Sequence, residues 1–114
     1  MMNNRGFGVE IEIGNRAGLE MAKILRDAGF SVYCSEDRTM NLGGTWVNTK
    51  GKRPTEMDEY KLVWRVVRDG SVPDGCEVVS PVLSGAAGLT QVKNVVKAMN
   101  KAGAKATQDC GLHV

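Results

Sequence analysis

Two glutamates near the N-terminus are the sharpest candidate for chemistry in this sequence. Glu10 and Glu12 alternate with Val9, Ile11 and Ile13, and residues two apart on a β-strand project from the same face of a sheet. Neighbouring carboxylates repel each other unless something positive lies between them. A hard divalent cation, with phosphate oxygens on its far side, would supply that charge. The pair therefore suggests a metal site, and the alternative of an ordinary exposed sheet face stays open.

A second set of polar residues surrounds a predicted turn. Asp69 begins the turn-rich stretch 69–75, and Glu77 lies in the apolar stretch 76–83 that follows it. If the segments on either side of the turn pair as a hairpin, Asp69 and Glu77 reach the same rim of the sheet. Asp-Gly is also a common turn dipeptide, so a purely conformational role for Asp69 stays open.

Basic residues gather just before this turn. Arg65 and Arg68 lie in the stretch 60–68, and Lys50, Lys52 and Arg53 precede it. They form either a phosphate-binding patch or a solvated loop and strand face. The formal net charge of +2 does not by itself predict a nucleic-acid partner, and that alternative also stays open.

The cysteines and the single histidine indicate less about the function. Cys34, Cys76 and Cys110 are an odd, widely spaced set, which predicts free thiols in a reducing compartment rather than a disulfide framework. Cys110 and His113 have a spacing found in zinc sites, but one such pair is too few for a tetrahedral structural site. The sequence has no Walker loop and no dinucleotide-binding glycine pattern.

Periodicity predicts the elements that position these residues. Period-two alternation predicts a strand over 7–13, and helical spacing of apolar residues predicts helices near 16–28 and 85–102. Gly29 and Gly103 are placed to end the helices, with Asn15 and Ser84 as candidate N-caps. Further strands are expected at 31–35, 45–49, 60–68, 76–83 and 105–114, and a turn at 37–44. The simplest packing is α+β, a largely antiparallel sheet of roughly four to six strands with two amphipathic helices on one face.

Length and composition agree with one cytosolic domain spanning residues 1–114. The 42% apolar and 25% charged fractions are close to the globular average. No apolar run is long enough to span a bilayer, which predicts no membrane partner, and the N-terminus lacks the apolar stretch of a signal peptide.

Four segments extend the argument beyond single residues. They are Phe7–Glu12, Trp64–Val72, Gly75–Leu83 and Cys110–Val114. In order and spacing they resemble successive blocks of the amidoligase family. That family belongs to the carboxylate–amine ligase superfamily, is common in phages and bacteria, and is related to glutamine synthetase and glutamate–cysteine ligase.

The resemblance implies ATP-dependent amide formation, in which a carboxylate is activated as an acyl phosphate and an amine displaces the phosphate. It implies magnesium and ATP as cofactors. It also implies that Glu10, Glu12 and Glu77 are metal ligands, with Asp69 less securely placed. His113 matches the first histidine of a family block, and Arg65, Arg68 and His113 are the candidate nucleotide or phosphate ligands. No residue is assigned a catalytic role, and Ser80 and Pro81 are expected to shape their strand.

The resemblance also leads to an expectation about completeness. The family block continues beyond Val114 with a second histidine, so the sequence is expected to hold an N-terminal part, about half, of a glutamine synthetase-like catalytic domain. Such a domain should be inactive alone and expose a sheet edge that pairs with another protein chain, either a second copy or a host protein. The alternative is a phage-encoded, non-catalytic protein in the host cytoplasm that inhibits a host defence protein, as anti-CRISPR proteins do.

Overall fold

The sheet is built from seven strands in the residues that the computed structural model describes, which are 6–68, 74–106 and the backbone of 112–113. The strands are β1 (Glu10–Ile13), β2 (Val32–Cys34), β3 (Thr39–Leu42), β4 (Thr45–Val47), β5 (Trp64–Arg68), β6 (Cys76–Val79) and β7 (Leu112–His113). Their spatial order is β4-β3-β2-β5-β6-β1-β7, and only the β2–β5 pair is parallel. The predicted α+β class and largely antiparallel sheet are confirmed, with one strand more than expected.

Both helices pack on the same face of this sheet, as predicted. α1 (Gly18–Asp27) and α2 (Gly85–Lys101) bury their apolar stripes in one core with the inward-facing strand residues. Met21, Leu25 and Val95 are completely buried there against Val66 and Val78. Neither helix of the described residues combines the length and apolar character that crossing a membrane requires.

The helices end at the predicted glycines. Gly29 and Gly103 have φ values of 94° and 77°, which glycine adopts without the steric cost that other residues meet. The amide of Phe30 donates to the Leu25 carbonyl at 3.0 Å. This bond, from the second residue after the C-cap Ala28 back to the last turn of the helix, is the Schellman arrangement.

The helix starts differ from the prediction. The N-cap of α1 is Ala17 rather than Asn15. The Asn15 side chain instead bonds the Gly103 carbonyl and the Lys105 amide, at 2.9 and 2.8 Å, and so links the end of β1 to the end of α2. Ser84 does stand at the N-cap of α2, but its side chain makes no capping bond.

Two predicted segment types were wrong. The stretch 37–44 was expected to be a turn, yet it contains β3. The polar Asn41 fits within this strand because its side chain lies on the helix-facing side and is fully hydrogen-bonded there. The predicted strand over 60–68 begins only at Trp64. Its first part belongs to a 3₁₀ helix, Asp58–Leu62, which follows a shorter one at Pro54–Glu56.

This 3₁₀ segment covers part of the face opposite the helices. Met57 and the half-buried Tyr60 pack on Tyr33, Met40 and Val63 in a second hydrophobic cluster. The remaining part of that face, over β5, β6 and β1, has none of this cover from the described residues. We call it the open face; its side chains are Arg65, Val67, Glu77, Val79, Glu10 and Glu12.

Asn41 is a buried polar residue whose side chain links α1, β2 and β3 through hydrogen bonds. Its Oδ1 accepts from Arg26 Nε at 2.7 Å and from the Val32 amide at 3.0 Å. Its Nδ2 donates to the carbonyls of Phe30 and Gly43 at 3.2 and 2.7 Å. All four bonds hold backbone or side-chain groups that are at least partly shielded from water.

We predict that Asn41→Ala lowers the free energy of unfolding by about 2–4 kcal/mol, because it leaves buried donors and acceptors without partners. Urea denaturation followed by circular dichroism measures this loss. The matched control is Asn94→Ala on the exposed side of α2, expected to change stability by less than about 0.5 kcal/mol. Equal stability of the two variants would contradict the assigned role of Asn41.

Candidate functional site

Three carboxylates share the open face. In the β1–β6 pairing, Glu12 stands directly opposite Glu77, and Glu10 stands opposite Val79. The residues between them, including Ile11 and Val78, are buried under the helices. The strand phase that the alternation predicted is therefore the one observed. Directly opposed side chains on neighbouring antiparallel strands have Cβ atoms about 5 Å apart, a spacing at which like charges destabilise each other.

The donor chemistry of this row fits magnesium, with a restriction on how it is held. No three His, Cys, Asp or Glu side chains among those described are gathered closely enough to hold a metal ion. Magnesium commonly binds through one or two carboxylates and completes its octahedron with phosphate oxygens and water. The row therefore fits a magnesium ion whose remaining ligands are phosphate oxygens and water.

Arg65 lies on the same face, two strands away from Glu10. The register aligns Arg65 with Val79, and Val79 with Glu10, across β5, β6 and β1. Neighbouring strands are about 4.8 Å apart, so the backbones of Arg65 and Glu10 are about 10 Å apart. The open face thus has a negative end and a positive end, with an apolar residue between them.

The described residues satisfy the guanidinium of Arg65 only in part. Nη1 donates to the Tyr60 hydroxyl and Nη2 to the Ser80 carbonyl, both at 3.4 Å, while the buried Nε has no hydrogen-bond partner among the described residues. Bonds of this length are at the weak limit for N–H donors. The guanidinium carbon also lies 5.1 Å from the centre of the Tyr60 ring, a cation–π contact that holds its orientation.

The other predicted phosphate ligands are placed differently. Arg68 pairs with Cys76 in the register and shares the phase of Trp64 and Val66, so it projects on the helix side. The structure therefore does not bring Arg65 and Arg68 together. The backbone of His113 pairs with that of Glu10 across β1 and β7. Asp69 lies outside the described residues.

Ser80 and Pro81 shape the chain, as expected. The Ser80 hydroxyl is buried, accepts from the Val9 amide at 2.9 Å and donates to the Pro81 carbonyl at 2.7 Å. The Ser80 amide in turn donates to the Val9 carbonyl at 2.9 Å. With its hydroxyl committed in this way, Ser80 serves to fix β1 against the end of β6.

Cys34 is also a structural residue. Its thiol is buried beneath α1 and is not in a disulfide, and burial raises its pKa, because the thiolate would lose its hydration. A raised pKa keeps the thiol protonated and unreactive near neutral pH. Cys110 lies outside the described residues.

Two adjoining grooves meet at Arg65. One, of about 420 Å³, runs from Arg65 past Val79 to Glu10 and Gly8. The other, of about 490 Å³, lies between the 3₁₀ segment and residues 81–82, and its lining includes Tyr60, Lys61 and Val82. Tyr60 and Lys61 were not predicted at the site because 60–62 was assigned to a strand, and Val82 was placed in the predicted strand over 76–83 without a role in the site. No spacing signal in the sequence shows that this segment folds back beside Arg65.

A comparison with protein-family models covers almost the whole chain. The family model described as "Putative amidoligase enzyme" matches residues 3–114. No curated protein and no solved structure matches the chain. The matched stretch contains all of the open face and both grooves, as well as the segments whose resemblance was noted from the sequence. The chain belongs to the amidoligase family.

Proposed function

We propose that the open face binds a magnesium–nucleotide and that the domain serves the ATP-dependent joining of a carboxylate to an amine. The observation that carries this proposal is the opposed pair Glu12 and Glu77, with Glu10 beside it and Arg65 at the other end of the same face. Magnesium, when bound, would neutralise the phosphates during transfer. The family relationship supports the same chemistry.

The division of charge on this face suits phosphoryl transfer. That reaction needs developing negative charge to be met by metal ions and by fixed cationic side chains. The acidic row provides carboxylates for the metal, and Arg65 provides a fixed cation about 10 Å away. His113, whose backbone neighbours Glu10, is proposed as a phosphate ligand, whereas Arg68 projects from the helix side and has no part in the proposed site.

We further propose that the domain binds without turning over when alone. Glu10 is exposed, and the described residues provide no layer over β6 and β1 that would exclude water from a reactive intermediate. An acyl phosphate formed on such a surface would be hydrolysed before an amine displaced it. A further protein chain, either a second copy or a host protein, is proposed to cover this face.

The first prediction concerns the metal. Magnesium with ADP should bind the chain, and Glu12→Gln combined with Glu77→Gln should weaken that binding at least about tenfold, because both proposed anionic ligands become neutral amides. Isothermal titration calorimetry measures the affinity. Asp58→Asn, in the 3₁₀ segment, removes a carboxylate elsewhere and should leave the affinity unchanged. Equal affinity of all variants would refute the acidic row as the metal site.

The second prediction concerns turnover. An ATP-consumption assay with a panel of amino acids and amines at saturating magnesium should show no phosphate release that depends on both an acid and an amine. Water reaches the open face, so at most slow hydrolysis is expected. Acid- and amine-dependent release that Glu10→Gln abolishes would show that the chain is a working ligase by itself.

The alternative of a phage-encoded inhibitor of a host defence protein requires neither metal nor nucleotide. The same titration separates the two proposals. A folded chain that binds neither magnesium nor ADP would favour the binding-protein alternative over the ligase-related one.

A further inference from the structure

The groove beside Tyr60 has apolar walls and contains a cationic side chain, Arg65, that is weakly hydrogen-bonded by the described residues. Within the part of the chain that the structure describes, Arg65 makes two hydrogen bonds, each 3.4 Å long, and its Nε has no partner. No carboxylate among the described residues lies within ion-pair distance of its guanidinium. Arg65 thus has two neutral oxygen partners at long distance but, among the described residues, none of the anionic oxygens that its forked N–H groups match. An oxyanion ligand would supply them.

The backbone around the groove offers few donors of its own. Pro81 has no amide hydrogen, the Ser80 amide is bonded to the Val9 carbonyl, and the Leu83 amide is bonded to the Phe7 carbonyl. A phosphate carries up to two charges and is normally held by several N–H donors. A carboxylate carries one charge and is satisfied by the two parallel N–H groups of a single arginine.

The groove walls indicate what the oxyanion is attached to. Pro81, Val82 and the Tyr60 ring line the space next to Arg65, and the Val82 side chain is 81% exposed. An exposed valine beside an aromatic ring and a proline forms an apolar surface that a hydrocarbon group would shield from water. Among the described lining residues, Lys61 adds a second charge, and its sign also favours an anion.

We infer that this groove binds the carboxylate substrate, an organic acid with an apolar substituent, through Nη1 and Nη2 of Arg65. The substituent lies along Tyr60, Pro81 and Val82. This inference rests on the proposed ligase-related function, in which an acid must lie within reach of the nucleotide. The continuous lining from Arg65 to Glu10 provides that proximity.

The test is an NMR titration of the ¹⁵N-labelled chain with acetate, hexanoate and inorganic phosphate. Hexanoate should shift the Arg65 side-chain signal and the amides of Tyr60 and Val82, and it should bind more tightly than acetate because of the apolar walls. Arg65→Met, which keeps the length of the side chain but removes its charge, should weaken hexanoate binding at least about tenfold. Lys93→Met, which removes a charge from α2, should not.

A second pair of variants avoids changes to partly buried groups. Val82→Glu should weaken hexanoate binding and Val82→Lys should strengthen it, because the substitutions place opposite charges at the lip of the groove. Leu89→Glu, on α2 and 55% exposed, is the matched control and should have no effect. Equal binding to the two Val82 variants would overturn the inference.

Two further outcomes separate this inference from the proposed function. Phosphate that shifts the Arg65 signal at lower concentration than hexanoate would assign the groove to phosphate and overturn the carboxylate assignment. An unmodified chain that binds magnesium–ADP but not hexanoate would overturn this inference and leave the proposed function standing. Hexanoate binding at Arg65 in a chain that does not bind magnesium–ADP would support the groove and count against the nucleotide site.

Discussion

The pairing of β1 with β6 is the constraint on which the rest of the structure depends. Ile11 and Ile13 must lie under the helices together with Val78, and this places Glu10, Glu12 and Glu77 on the other side. A slip of one residue would turn the carboxylates into the core and the isoleucines into water. The exchange of bonds between Val9 and Ser80, which adds the Ser80 hydroxyl to the ladder, fixes this register at its end.

The two halves of the face opposite the helices differ because of one folded-back segment. Over β2 and β3, Met57 and Tyr60 complete a small hydrophobic cluster, so this half is closed. Arg65 lies at the boundary. Its ring contact and its weak hydrogen bond to Tyr60 are on the closed side, and its weak hydrogen bond to the Ser80 carbonyl is on the other. The segment that buries Tyr33 and Met40 therefore also makes one wall of the groove. In the proposed function, the same residues therefore serve both packing and ligand recognition.

Much of this arrangement follows from sequence periodicity. The two helices, their glycine ends and the phase of β1 were predicted because each depends on contacts within a few residues. β3 was missed because 37–44 is polar and ends in paired glycines, which is typical of a turn. The sequence does not show that Arg26 and Val32 satisfy the polar side chain of Asn41. Asn15 was assigned as a cap although its partners lie 88 and 90 residues away. The groove at Arg65 was missed for the same reason, because its opposing wall comes from a segment without strong periodicity.

The row Arg65, Val79 and Glu10 has a further consequence for the proposed chemistry. Its two charged ends are about 10 Å apart. Two ligands can therefore bind side by side, one at each end, whereas a single small anion cannot contact both ends. Val79 lies between them and offers neither a charge nor a side-chain hydrogen bond. In the proposed arrangement, the nucleotide is held at the acidic end and the acid at Arg65, so their reactive groups meet above an apolar side chain. Covering that central position with a further chain would lower the local dielectric and strengthen the interactions of both ends with the transferring phosphoryl group.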